Sequence, residues 1–192
     1  QFLHQHTDGN PLAVEETVRL LRDRHELIER SGSSTRPPAH TLPVPPTIRD
    51  SVLERIDRLP WETRQVLRAA ATLAAPAEAE LVVTVAGLNG PPGWRGIGGA
   101  LSAGLLREAP GGGLEFRHAL AAKAVEEAMP ISVQWALHRR AAQCLKELDP
   151  PPITRLARHF REARDVAEWS RYAEAGAAVA LESGDDKTAV LT

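Results

Sequence analysis

The sequence predicts a mainly α-helical fold with one short β-hairpin, and three observations carry that expectation. Apolar residues recur every three or four positions through most of the chain, as in Val66, Leu67, Ala70 and Leu73, which puts them on one face of a helix. Prolines and glycines cluster at intervals and cut these patterns into helix-sized pieces. One stretch breaks the helical period: Leu105-Leu106-Arg107-Glu108 and Leu114-Glu115-Phe116-Arg117 flank Pro110-Gly111-Gly112-Gly113, the pattern of a hairpin around a Gly-rich turn.

Taken in order, Asn10-Pro11 opens the first helix. Asn caps free N–H groups, and Pro at the first helical position has no donor to lose. That helix is expected to reach about Arg30, with Leu12, Val14, Val18, Leu21, Leu27 and Ile28 as an imperfect apolar stripe. Residues 31–46 contain five prolines and are expected to form an extended connector. Thr47 reads as the cap of a second helix, with Asp50 in the capping-box position and Val52, Leu53 and Ile56 apolar. Pro60 restarts the chain into a third helix, and a fourth covers Glu78 to Ala86. Gly87 through Gly99 reads as loop, because each Gly costs a helix interior about 1 kcal/mol; a short helix from Gly99 to Ala103 follows. After the hairpin the pattern is helical from His118 to Ala128, and Pro130 breaks it. Ile131 to Leu148 is the next helix, with Val133, Leu137, Ala141 and Leu145 on one face, and Pro150-Pro151-Pro152 ends it. Two more helices are expected over Thr154–Arg164 and Val166–Ser183.

Three helices and then a hairpin is the order of a winged-helix domain. The helices after it read as the start of a TPR-like antiparallel array. In the last one Trp169, Ala173, Ala177 and Leu181 are four apart, while Gly176 and Ala180 are small enough for a neighbouring helix to approach. The expected organisation is a helix plus Pro-rich connector over 1–46, a winged-helix domain over 47–129, and the start of a helical arm over 130–192.

Composition bounds the function. The net charge of −2 gives no global basic field for nucleic acid. The single cysteine, Cys144, excludes an internal disulfide and suits a cytoplasmic setting. No apolar run approaches the roughly 18 residues that cross a bilayer, so no membrane partner is expected, and no signal peptide is visible. The chain starts at Gln1 without Met, and Asp185 to Thr192 reads like the first turns of another helix. Both ends therefore read as cut from a longer polypeptide.

An ordered set of motifs resembles a known family. It runs Asp8-Gly9-Asn10-Pro11-Leu12, then Val44-Pro45-Pro46-Thr47-Ile48-Arg49-Asp50 leading to Leu53-Glu54-Arg55-Ile56-Asp57-Arg58-Leu59, then Val66-Leu67-Arg68-Ala69-Ala70-Ala71. Leu114-Glu115-Phe116-Arg117-His118-Ala119-Leu120, Leu137-His138-Arg139-Arg140-Ala141-Ala142, Leu156-Ala157-Arg158-His159 and Ala173-Glu174-Ala175-Gly176-Ala177 complete it. The order and spacing resemble the segment after the nucleotide-binding core of STAND-class signalling ATPases, most of all the large LuxR-type transcription regulators. Related modules are attached to cyclases and kinases. The resemblance implies the end of a helical lid, a winged helix and the first arm helices. It implies ATP or ADP as the ligand of the whole polypeptide, with an upstream nucleotide-binding core and downstream helical repeats as partners in the same chain.

No Gly-x-x-x-x-Gly-Lys-Ser/Thr sequence is present, and no Lys follows Gly96, Gly98 and Gly99, so a phosphate cradle and a hydrolytic centre are not expected here. Three residues carry the candidate nucleotide contacts. Gly9 and Pro11 resemble the Gly-x-Pro motif whose proline packs near adenine; without the resemblance they make a well-capped helix. His118 opens a helix after the hairpin and resembles the winged-helix histidine that senses the β-phosphate of ADP; without the resemblance it is a capping or surface residue. The other candidates reduce to ordinary roles. His4 and His6 are too few for a metal site, Cys144 reads as packing, and His138-Arg139-Arg140 reads as a solvated helix end rather than a phosphate grip. The wing Ala109 to Gly113 has no Lys or Arg at its tip, which argues against DNA contact. The expected function is a non-catalytic regulatory segment that senses nucleotide state and relays it to the arm. A helical protein-interaction scaffold is the alternative, and a DNA-binding winged helix ranks below both. Self-association through the last helix is a further expectation.

Overall fold

The computed structural model describes residues 46–182, with side chains from Arg49 to Val179. The expected helix from Asn10 to Arg30, and with it Gly9 and Pro11, lies outside the described residues. Within them the fold is mainly helical. It has eight helices and a two-stranded antiparallel sheet: α1 (Pro46–Asp57), α2 (Trp61–Leu73), α3 (Ala79–Ala86), α4 (Pro91–Ser102), β1 (Leu106–Glu108), β2 (Leu114–Phe116), α5 (Ala119–Ala128), α6 (Ile131–Lys146), α7 (Ile153–Glu162) and α8 (Val166–Glu182).

The first correction is at α1. It begins at Pro46, so Thr47 lies inside the first turn and is not the cap. Proline's fixed φ and missing donor suit a first helical position. A cap at Thr47 would have put the first helical residue at Ile48, two residues later than observed, and the capping-box reading of Asp50 goes with it.

α2 is the central post. Thr63, Val66, Leu67 and every residue from Ala69 to Leu73 are buried. Its run of alanines leaves no bulk on any side, so neighbours pack close all round. The helix ends at Ala74, in the left-handed region at φ 54, which returns its N–H to the Ala70 carbonyl.

The second correction is larger. Residues expected as loop form α4, a twelve-residue helix with four glycines inside it. The reason is close approach. A Cβ on Gly93 would lie 2.5 Å from Val83, one on Gly96 2.7 Å from the Glu62 carbonyl oxygen, and one on Gly99 2.3 Å from the Thr63 hydroxyl. Three of the glycines let α4 press onto α2 and α3. The burial gained there offsets a propensity cost of about 1 kcal/mol each. Pro91 and Pro92 occupy the first positions, where they favour the start.

The hairpin forms as expected, shortened at both ends, with Leu106 opposite Phe116 and Glu108 opposite Leu114. Ala77 adds a bridge to Leu114, its N–H donating at 3.1 Å and its carbonyl accepting at 2.7 Å. That bridge ties the hairpin to the link between α2 and α3. Gly113 has φ +83, and a Cβ there would meet the Ala77 backbone at 3.0 Å, so both the turn and the bridge require glycine.

Two clusters bury the apolar side chains. The larger gathers α2, α3, α4, both strands and part of α5, and also takes in Leu137 and Ala141 of α6. The smaller joins Ala142 and Leu145 of α6 to Leu156 and Phe160 of α7, with Trp169 and Tyr172 of α8 packed against it. The α6, α7 and α8 helices follow the expected boundaries within one or two residues, and α7 packs on both of its neighbours.

Candidate functional site

His118 is the one candidate nucleotide residue among the described positions. It lies two residues after β2 and stands at the cap of α5 with extended backbone (φ −129, ψ 122), half-buried. Its carbonyl accepts the N–H groups of Ala121 and Ala122. The hairpin delivers it there: Arg117 still donates to the Leu105 carbonyl at 3.0 Å, so the chain stays in the sheet until one residue before His118.

A groove of about 860 Å³ runs beside the start of α5, between the C-terminal half of α2, β2 and α7. Its apolar floor includes Ala71, Phe116 and Leu120. Its rim carries Lys123, Arg158 and Arg161 against Glu115, Glu126 and Glu162. Three charges of each sign leave no net attraction for phosphate, and His118 is not among the residues lining it. The groove and His118 are thus neighbours along α5 and do not form one site. Among them, no group of three or more potential metal ligands comes together, and no helix is long and apolar enough to cross a membrane.

The densest arrangement of polar groups lies where α6 and α7 meet α2 and α3. Arg140 of α6 donates from Nη1 to the Val85 carbonyl at 2.8 Å. Arg158 of α7 reaches the Leu73 and Thr72 carbonyls at 3.5 and 3.4 Å. Each guanidinium sits at the C-terminal end of another helix, where carbonyls have no partner within the helix and the helix dipole is negative. Gly87, left-handed at φ +73, closes α3 and leaves room for Arg140: a Cβ there would lie 2.5 Å from Nη1.

Between these two arginines, His138 of α6 and His159 of α7 are 3% and 0% exposed. Their Nδ1 atoms are 2.9 Å apart. One ring must donate and the other accept. The His159 Nε2 is buried without a hydrogen-bond partner. A bare lone pair there costs less than a stranded N–H, so His159 donates from Nδ1 and His138 accepts. Burial, with Arg158 nearby, holds the His138 pKa down at about 4. The same two causes, with His138 itself and Arg155 adding to them, hold His159 at about 3. The expectation of a solvated helix end at His138-Arg139-Arg140 is thus corrected: only Arg139 is solvent-facing. Sequence reading missed this pair because its members lie on separate helices 21 residues apart. The available signal was helical spacing: His159 falls in line with Leu156 and Phe160, as His138 does with Ala141 and Ala142.

Cys144 is half-buried and packs against the larger cluster, and burial pushes its thiol pKa up. Compared with known protein families, with curated proteins and with solved structures, the chain matches none.

Proposed function

We propose that this chain is the relay segment of a nucleotide-dependent signalling ATPase of the STAND class, of the kind found in large LuxR-type transcription regulators. In this reading α2, α3, α4 and the hairpin make a winged helix, α6 to α8 begin a TPR-like arm, and the segment itself catalyses nothing. ATP or ADP binds a core elsewhere in the same polypeptide. His118 contributes one hydrogen bond to a phosphate from the head of α5, and Gly9 and Pro11 wall the base.

The observation that carries the relay is the double capping at the junction. Arg140 and Arg158 reach across from the arm helices to the carbonyl ends of α3 and α2. A helix fastened at its end by a charged donor, and backed by a shared apolar cluster, moves with its neighbour. A displacement of the unit bearing His118 then turns the arm. The test is the open reading frame around this chain together with nucleotide affinity. A phosphate loop upstream, and tight ADP binding by the whole polypeptide, are the expected results. A reading frame with no such loop overturns the proposal.

A second reading, a helical scaffold for protein partners, is favoured by a different observation. Ile131 and Trp135 stand one turn apart on α6 and remain 56% and 40% exposed, and Val166 and Val179 of α8 are 65% and 55% exposed. The scaffold reading predicts that Trp135→Ser abolishes a protein interaction without altering nucleotide affinity.

A further inference from the structure

Two buried rings joined by a single proton are a poor general stabiliser and a good proton gauge. His138 and His159 bridge α6 and α7 at a point where the remaining attachment is limited. Beyond the smaller apolar cluster, the α7–α8 pair is held to the rest by this bond, by the long Arg158 contacts and by the surface pair of Lys146 on α6 with Glu168 on α8. We propose that the His138–His159 pair makes seating of the α7–α8 pair pH-dependent, so that mild acid releases these helices from α6 and α2 while the larger core stays folded.

The rings face each other nitrogen to nitrogen at 2.9 Å, so a proton added at His138 Nδ1 would set two N–H groups against each other, and one added at His159 Nε2 would be buried with no acceptor. The surrounding charges oppose it as well. On α7, Arg158 acts on both rings and Arg155 on His159, against the single carboxylate of Glu162 acting on His138. Arg155 itself has Nε and Nη2 buried without a partner. α2 presents the uncharged Thr72 and Leu73 carbonyls, already taken by Arg158, and α3 presents the Val85 carbonyl, taken by Arg140. α8 brings Glu168, which pairs with Lys146 of α6 at 3.2 Å. No carboxylate on α2, α3 or α8 is among the charges acting on the two rings.

The direction follows from proton linkage. Seated, the rings titrate at about 4 and about 3; released into water they return to about 6.5. Below about pH 6.5 the released state binds more protons, so seating weakens as pH falls, and the loss continues until the seated rings themselves titrate. With two groups, the opening constant rises by up to about 100-fold per pH unit between roughly pH 6 and 4.5. The device is independent of the nucleotide reading.

Native-state hydrogen exchange on the full chain tests it, with the opening constants of α7 amides compared with those of α2 from pH 7.5 to 4.5. The expected result is a steep rise for α7 that α2 does not share. In the double variant His138→Asn/His159→Asn, which keeps a neutral hydrogen-bonding pair, the rise should flatten to the residual slope set by carboxylates. If that variant does not fold, the wild-type nitrogen shifts of the two rings decide: both must remain neutral at pH 5.5 in the seated form, and become charged only as α7 opens. Equal slopes for α7 and α2, equal slopes for wild type and variant, or a charged ring at pH 5.5 while α7 is still protected each overturn the proposal.

Discussion

Gly96 and Gly98 are two residues apart on α4 and have opposite meanings. A methyl at Gly96 would meet the Glu62 carbonyl at 2.7 Å and Val66 at 2.8 Å, whereas nothing lies within 4 Å at Gly98. Backbone cannot move aside as a flexible side chain does, so Gly96→Ala must push α4 off α2. Overpacking costs about 1–3 kcal/mol, against a helix-propensity gain of about 1 kcal/mol. A net loss on the order of 1–2 kcal/mol is expected. Gly98→Ala keeps the propensity gain alone and should stabilise by up to about 1 kcal/mol. Urea denaturation of the two variants side by side checks the pair; equal signs would contradict the close-packing account of α4. At this scale the sequence was half legible. His118 could be placed at a helix start from the hairpin before it. The His138–His159 contact could not, since it depends on how two helices meet across a proline-rich turn.

Among the elements, boundaries set by local chemistry were readable and those set by neighbours were not. The hairpin is encoded by three successive glycines between apolar pairs, and it forms where expected. α6 ends near the proline run and α8 starts after Asp165, both local effects. α4 was missed because single-chain propensity counts its glycines as losses, while the compensating burial belongs to α2 and α3. The arginine caps are likewise invisible locally, since Arg140 and the Val85 carbonyl are 55 residues apart. Arg140→Met keeps most of the side chain's bulk and removes the donor. A charged hydrogen bond to the end of α3 is worth about 1.5–3 kcal/mol, so the variant should lose about that much in equilibrium unfolding. The earliest exchange should appear at the last turn of α3 and in α6. Stability equal to wild type would mean that the guanidinium does not fasten the two units.

At the largest scale, the described residues form a large apolar cluster around α2 and a smaller one under α7 and α8, joined through α6. The helical class and the single hairpin were legible from periodicity. The joining role of α6 was not, because its sequence shows one apolar stripe and gives no sign that the stripe serves two clusters. No phosphate loop occurs in the chain, so the purified chain alone should show no ATP turnover above blank. Turnover that survives rigorous purification would contradict the non-catalytic reading.

The most direct measurement is ADP affinity, by calorimetry, of the proposed longer polypeptide in which an ATPase core precedes this chain, with and without His118→Ala. If His118 donates a charge-assisted hydrogen bond to the phosphate, its removal costs about 1.5–3 kcal/mol. That weakens ADP binding about 10- to 150-fold and shifts the protein toward its active form without inducer, since a ligand holds a state only through its differential affinity for it. An unchanged ADP affinity in a fully folded variant, with unchanged basal output, would contradict the nucleotide-sensing relay.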